Sequence, residues 1–219
     1  MRWLALEPER YAAPTAEGEP LLAEFAALCA GRGVASSATI RGLGAAMEAD
    51  FLLLSPDARG AFRLRGGALC FPTGWALEAK LGQTIEGIHG VVPWLNSALA
   101  APIQQFLNRL KPGIAFHRDN WGFTESDELN LHPARGVPAP DLPTSPERLW
   151  LRVERQVLVA LPESGGVVLG LRIALHRLDT MLADGVAAAG LRRVLTAMSP
   201  EMVANKRLDL VRQVVVSWL

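Results

Sequence analysis

The stretch 69–121 gathers two of the four histidines, His89 and His117, and three of the six tryptophans, Trp75, Trp94 and Trp121. Turn formers alternate there with large apolar residues, as in Cys70-Phe71-Pro72-Thr73-Gly74-Trp75, Ile88-His89-Gly90-Val91-Val92-Pro93-Trp94 and Phe116-His117-Arg118-Asp119-Asn120-Trp121. An apolar body with a few placed polar groups suits the wall of a small-molecule pocket. The competing reading is plain core, because tryptophans most often just fill space. A second group sits in the alternating run 149–161, where Trp150, Arg152, Glu154, Gln156 and Leu158 point one way. A carboxylate beside a guanidinium on one strand face is either an ordinary ion pair or a group that holds a cation or moves a proton.

The elements that must position these residues follow from periodicity. Residues 1–19 are rich in Pro, Glu and Gly and read as an extended N-terminal arm, pinned by Trp3 and Leu4. Pro20 opens a helix that Gly31 and Gly33 stop, and a second short helix is predicted over 38–48. Residues 51–54 and 62–65 read as strands, Gly66-Gly67 as a break, and 68–71 as a further short strand, together a β-meander. One or two helical turns are expected over 75–81, an irregular segment over 82–94, and a helix over 95–110 with Leu95, Leu99, Ile103, Phe106 and Leu107 on one side. Residues 114–123 read as a strand. Residues 124–147 carry five prolines and read as a surface loop or lid. The runs 149–161 and 167–175, joined by Pro162-Glu163-Ser164-Gly165-Gly166, read as a hairpin. The C-terminal region is helical, with one helix over 180–197, Ser199 as an N-cap before Pro200, and a continuation over 203–219. Antiparallel strands with helices to one side make an α+β domain over 20–219.

Composition limits the partners. The chain has 219 residues, half of them hydrophobic, and Lys+Arg 22 balances Asp+Glu 22. No basic excess points to nucleic acid. No apolar run reaches the roughly 18 residues that span a bilayer. The apolar start at Trp3-Leu4-Ala5-Leu6 breaks at Glu7, unlike a signal peptide. Two distant cysteines, Cys29 and Cys70, suit reduced thiols in the cytoplasm. They are also too few for an all-cysteine iron–sulfur cluster in this chain.

With those elements placed, seven short motifs occur in order: Cys70-Phe71-Pro72-Thr73-Gly74-Trp75, Ile88-His89-x-x-Val92-Pro93-x-Leu95-Asn96, Leu110-Lys111-Pro112-Gly113, Arg118-x-Asn120-Trp121, Leu151-Arg152-Val153-Glu154-Arg155-Gln156, Leu161-Pro162-x-Ser164-Gly165 and Ser199-Pro200-Glu201-Met202. Over residues 49–219 the chain thereby resembles the haem-dependent oxidative N-demethylase family, in its haem-binding α-subunit-like proteins. The resemblance implies a PAS-like antiparallel sheet with haem b against one face. It also implies oxygen-dependent removal of a methyl group from a small amine, releasing formaldehyde. Electrons would come from a separate flavin and iron–sulfur reductase, and an oligomer is compatible with it. Under the resemblance His89 is the expected iron ligand, with His117 as runner-up and His132 and His176 as surface residues. Arg118, Arg152 and Arg172 are expected to meet the haem carboxylates. Trp121 and Asn120 line the cofactor, and Glu154 holds an amine cation or relays protons. The last strand departs from the family pattern: Leu171-Arg172-Ile173-Ala174 stands where Ile-Arg-Thr-Tyr is expected. The single tyrosine, Tyr11, lies in the arm, so no tyrosinate from the sheet reaches haem. A second reading is a PAS-like haem or small-molecule sensor, or a non-catalytic subunit.

Overall fold

A computed structural model describes residues 2–34, 37–90, 95–138 and 145–219. Two short helices, α1 (Arg2–Leu6) and α2 (Pro8–Tyr11), lead into strand β1 (Ala12–Pro14) and helices α3 (Glu19–Gly31) and α4 (Ile40–Ala46). Strands β2 (Asp50–Pro56) and β3 (Phe62–Ala68) follow, then α5 (Ile85–His89) and α6 (Leu95–Arg109). Strand β4 (Ala115–Thr124) precedes the hairpin of β5 (Trp150–Ala160) and β6 (Val167–Arg177). Helices α7 (Leu178–Ala183), α8 (Gly185–Ala197), α9 (Pro200–Asn205) and α10 (Val211–Trp218) complete the chain. The strands form one sheet in the order β1-β3-β2-β6-β5-β4, with every pairing antiparallel. The α+β expectation and the predicted hairpin hold. No helix among the described residues is long and apolar enough to cross a membrane.

Strand alternation divides the sheet into two working faces. Leu52, Leu54, Leu158, Leu169 and Leu171 lie on one, under Ile88 of α5 and Ile103 and Leu107 of α6. The other face is covered in two parts. Phe51, Leu53 and Val168 pack against α3 and α4. Trp121, Phe123 and Leu151 pack against the C-terminal helices through Leu178, Leu195, Val211 and Val215.

Several local expectations are corrected. Gly66-Gly67 does not break a strand: β3 runs through both to Ala68. A Cβ on Gly67 would stand 2.5 Å from the Phe51 carbonyl oxygen, and one on Gly66 would stand 2.9 Å from the Pro14 Cα. The glycines let β1 and β2 press in from both sides, so they mark close approach rather than an end. Residues 69–71 form no further strand, because the Cys70 and Phe71 amides donate to the Asp50 carboxylate. Residues 75–81 are bends and turns. The segment 82–94, expected irregular, contains α5, capped by the Thr84 hydroxyl accepting from the Gly87 amide. The predicted helix 180–197 divides at Asp184, whose carboxylate accepts from the Val186 and Ala187 amides and starts α8. Ser199 caps α9 as predicted. The continuation over 203–219 breaks at Arg207, which has φ 53, a left-handed conformation that no helix continues.

Residues 2–18 fold onto the body. Leu4 and Tyr11 are buried, and β1 pairs with β3. The Tyr11 hydroxyl accepts from Asn130 Nδ2 at 3.0 Å, tying this segment to the proline-rich loop. That loop is clamped as well. The Leu131 amide donates to the Pro72 carbonyl, and the Gly74 amide donates to the Leu131 carbonyl. His132, expected at the surface, is 3 % exposed. Its Nδ1 accepts from the Ala134 amide, which leaves the proton on Nε2 to meet Glu78 at 3.1 Å. Residues 91–94, including Trp94, and 139–144 lie outside the described residues.

Candidate functional site

The register between β4 and β5 assembles the site. Arg118 lies opposite Gln156, Asn120 opposite Glu154 and Gly122 opposite Arg152, so these side chains share the face that carries Leu158. The sequence parity of Arg152, Glu154 and Gln156 is observed. What alternation did not reveal is how the three connect, and through which neighbours.

The half-buried Glu154 carboxylate is the centre. Its Oε2 accepts from Asn120 Nδ2 at 3.2 Å and from Gln156 Nε2 at 3.1 Å, and its Oε1 accepts from the Thr73 hydroxyl. Each of these relays is oriented by a cation. Arg118 Nε donates to Gln156 Oε1 at 2.6 Å, and Lys206 Nζ donates to Asn120 Oδ1 at 2.9 Å. Arginine and lysine only donate, so the amide atoms facing them are oxygens and both NH2 groups turn to Glu154. Arg152 Nε donates to Thr73 Oγ1 at 3.0 Å, which leaves the hydroxyl proton for Glu154. Three cations thus act on one carboxylate through three neutral side chains. A carboxylate has about four acceptor positions. Among the described residues three are filled, and one on Oε1 has no donor.

Arg152 lies beneath this arrangement, 2 % exposed. Its Nη2 donates to the carbonyls of Leu129 at 2.7 Å, Phe71 at 3.0 Å and Pro72 at 3.4 Å, and its Nη1 donates to Glu128 O at 3.3 Å. Burial lowers its pKa to about 10, against the opposing pull of Glu154 and Asp50, so it stays cationic at neutral pH. All of its described bonds go inward. It clamps the 71–73 and 128–129 segments together instead of offering a fork to a ligand carboxylate. Arg172 is elsewhere: it pairs in register with Arg155, on the opposite face from Glu154, and its guanidinium meets Glu48. Trp121 also alternates to the other face and packs with the C-terminal helices. Lys206 reaches both sides of this edge, donating to the Trp121 carbonyl at 2.6 Å with Nζ 4.8 Å from the indole centroid.

His89 ends α5 and is half-buried. Burial first, then the Arg118 charge, lowers its pKa, so the imidazole stays neutral to lower pH than an ordinary histidine. A neutral imidazole is the form that ligates iron. His117 differs: its side chain is 58 % exposed and faces Asp119. Among the described residues no group of three or more His, Cys, Asp or Glu is placed to hold a metal ion. Burial lifts the Cys70 thiol to about 12, with Asp50 adding to it, so Cys70 is a packed small hydrophobe.

Thr73, Lys206 and Asp50 were not singled out from sequence as site groups. Thr73 lies inside a recognised motif, and Asp50 is the lone carboxylate opening an apolar strand. Lys206 carried no local signal, because it lies 86 positions from Asn120. Asp50 is 6 % exposed, and burial raises its pKa to about 6 although two backbone amides and Arg152 favour its charge. A carboxyl whose folded pKa exceeds its unfolded value binds more protons when folded. Its contribution to stability is therefore lost as pH rises from about 4 to about 6. At about 1.4 kcal/mol per unit, the full effect is on the order of 3 kcal/mol. The stability gap between the protein and Asp50→Asn, from urea midpoints, is expected to narrow across that window. A gap independent of pH contradicts the assignment.

Residues 20–216 match the family described as haem-dependent oxidative N-demethylase, alpha subunit-like. That match covers most of the chain, spans β2 to β6 and includes every residue of the Glu154 arrangement. The chain belongs to the haem-dependent oxidative N-demethylase, alpha subunit-like family.

Proposed function

We propose that this chain is the haem-binding subunit of an oxygen-dependent oxidative N-demethylase acting on a small methylated amine. The observation that carries the reading is the Glu154 carboxylate, held by three donors with one acceptor position open. It lies on a sheet face that Arg118 shares, with the neutral His89 imidazole within electrostatic reach of that arginine. We read the antiparallel order β3-β2-β6-β5-β4, with α5 and α6 inserted between β3 and β4, as PAS-like.

The residues fit a haem in two respects: a half-buried neutral imidazole is present, and the cleft it lines has an apolar wall of Phe62, Ile85, Ala100, Ala101 and Ile103. His89 would hold the iron. The haem, a haem b in this reading, supplies oxygen activation when bound, with electrons from a separate flavin and iron–sulfur reductase. The chain's own residues select and orient the amine. Glu154 accepts the ammonium N–H, while Thr73, Asn120 and Gln156 fix both carboxylate oxygens so that the open position points one way. Arg118 and Lys206 stop the two amides from flipping and offering an oxygen to the carboxylate. Arg152 acts indirectly, by setting the Thr73 hydroxyl.

Calorimetric titration with dimethylamine tests the amine site. Losing a hydrogen-bonded charge partner costs about 1.5–3 kcal/mol, so Glu154→Gln is expected to weaken binding by roughly tenfold or more. Arg172→Gln, on the opposite face, is expected to leave it unchanged. Equal binding by the protein and Glu154→Gln would remove the amine site from Glu154. Haem binding without any amine binding would favour the sensor reading.

A further inference from the structure

We infer that the cleft between α5, α6 and the β2–β3 turn seats the porphyrin, and that Arg59, with Arg65 behind it, receives the porphyrin's carboxylates. The inference rests on the haem reading above and names the ends of that site. The cleft has a volume of about 480 Å³ and is lined by His89, Phe62, Ile85, Ala100, Ala101 and Ile103, with Arg59 and Glu86 also on its wall. A second cleft of about 490 Å³ shares Arg59 and adds Arg63 and Arg65. The two clefts meet at Arg59, so one imidazole, an apolar wall and a group of guanidiniums border adjoining clefts. This is the order of chemistry in a flat macrocycle with a metal centre and carboxylate side chains.

The rim is built, not loose. Gln104 on α6 accepts from the Phe62 amide at 3.3 Å and donates to the Gly60 carbonyl at 2.6 Å, fixing the β2–β3 turn against the helix. Of the three arginines, Arg63 is paired with Asp57 and Arg65 with Glu17, which leaves the Arg59 guanidinium without a carboxylate partner among the described residues. Asp57 is filled by the Arg59 and Ala61 amides and by Arg63 Nε at 2.7 Å. Glu17 has a side chain 66 % exposed and stands 3.8 Å from Arg65 Nη1. Arg65 is the extra residue where the β2–β3 register shifts between Leu53 and Leu54, and such a bulge re-aims a side chain. Its Nε donates to Ser55 Oγ at 3.1 Å. Arg118 also acts on His89, but its Nε is bonded to Gln156, within the polar group of Asn120, Glu154 and Gln156. Apolar walls for a macrocycle lie on the Arg59 side.

The test compares haemin with haemin dimethyl ester, whose carboxylates are capped, by absorbance titration of the protein, Arg59→Gln and Arg118→Gln. Arg59 is exposed and its guanidinium has no described partner, so its replacement leaves the fold intact. The protein is expected to bind haemin about tenfold tighter than the ester, the worth of one good charge-assisted bond. Arg59→Gln should erase that preference while binding the ester as well as before, and Arg118→Gln should keep it. A preference that survives Arg59→Gln and vanishes in Arg118→Gln overturns the inference and moves the carboxylates to β4. Equal binding of both porphyrins by the unaltered protein overturns it alone. Failure to bind either porphyrin removes it together with the haem reading.

Discussion

Arg152→Met is expected to cost about 3–5 kcal/mol of stability, the range for breaking a buried charge network. Folded domains have only about 5–15 kcal/mol in hand, so this variant should be close to unfolding. The argument is one of orphaned acceptors. Methionine fills much of the volume but leaves the carbonyls of Phe71, Glu128 and Leu129 without the donor that joins them, while Pro72 keeps the Leu131 amide. It also removes a buried cation that acts on the half-buried Glu154 and frees the Thr73 hydroxyl to turn. Arg152→Lys should rescue little, because a point ammonium cannot reproduce a planar fork spread over two loop segments. Urea unfolding reads the effect as a lower midpoint at unchanged slope. Arg172→Met, which loses only an exposed pair with Glu48, is expected to cost under about 1 kcal/mol. A loss that small for Arg152→Met would show that its bonds do not clamp the site.

His89→Ala is expected to remove haem. Changes one shell away from a metal ligand cost about 10–100-fold in affinity, so losing the imidazole itself should cost at least the upper end of that range. The Soret band of the reconstituted protein should shift and its intensity fall through loss of occupancy. His117→Ala is the control: that imidazole is exposed and already faces Asp119, and its removal should leave the spectrum alone. Because burial and Arg118 hold the His89 pKa down, haem should be released by acid only below the usual histidine range. The reverse result, with His117→Ala losing haem and His89→Ala keeping it, would exchange the two assignments.

Legibility in the sequence followed the range of the interaction. The β5–β6 hairpin was readable because alternation and a Pro-to-Gly turn are local. The shared face of Arg152, Glu154 and Gln156 followed from the same parity. The use of Arg152 was not readable: a guanidinium in a motif looks the same whether it will grip a ligand or four carbonyls, and only burial decides. Gly66-Gly67 carried the signal of a break, yet the approach of β1 and β2 made them strand interior. His132 sat among prolines and looked like a surface residue until Glu78 and the Ala134 amide enclosed it. Lys206 and Thr73 reach Glu154 from distant parts of the chain, and no periodicity encodes that meeting. Arg172 shows the limit of reading a motif without its register, since one strand position decides which face it serves.

The account stands most directly on whether this chain holds haem at all. An absorption spectrum of the purified protein titrated with haemin measures it. The account predicts a saturable, stoichiometric Soret band that depends on His89. Protein that stays colourless and shows no saturable change with added haemin would contradict it.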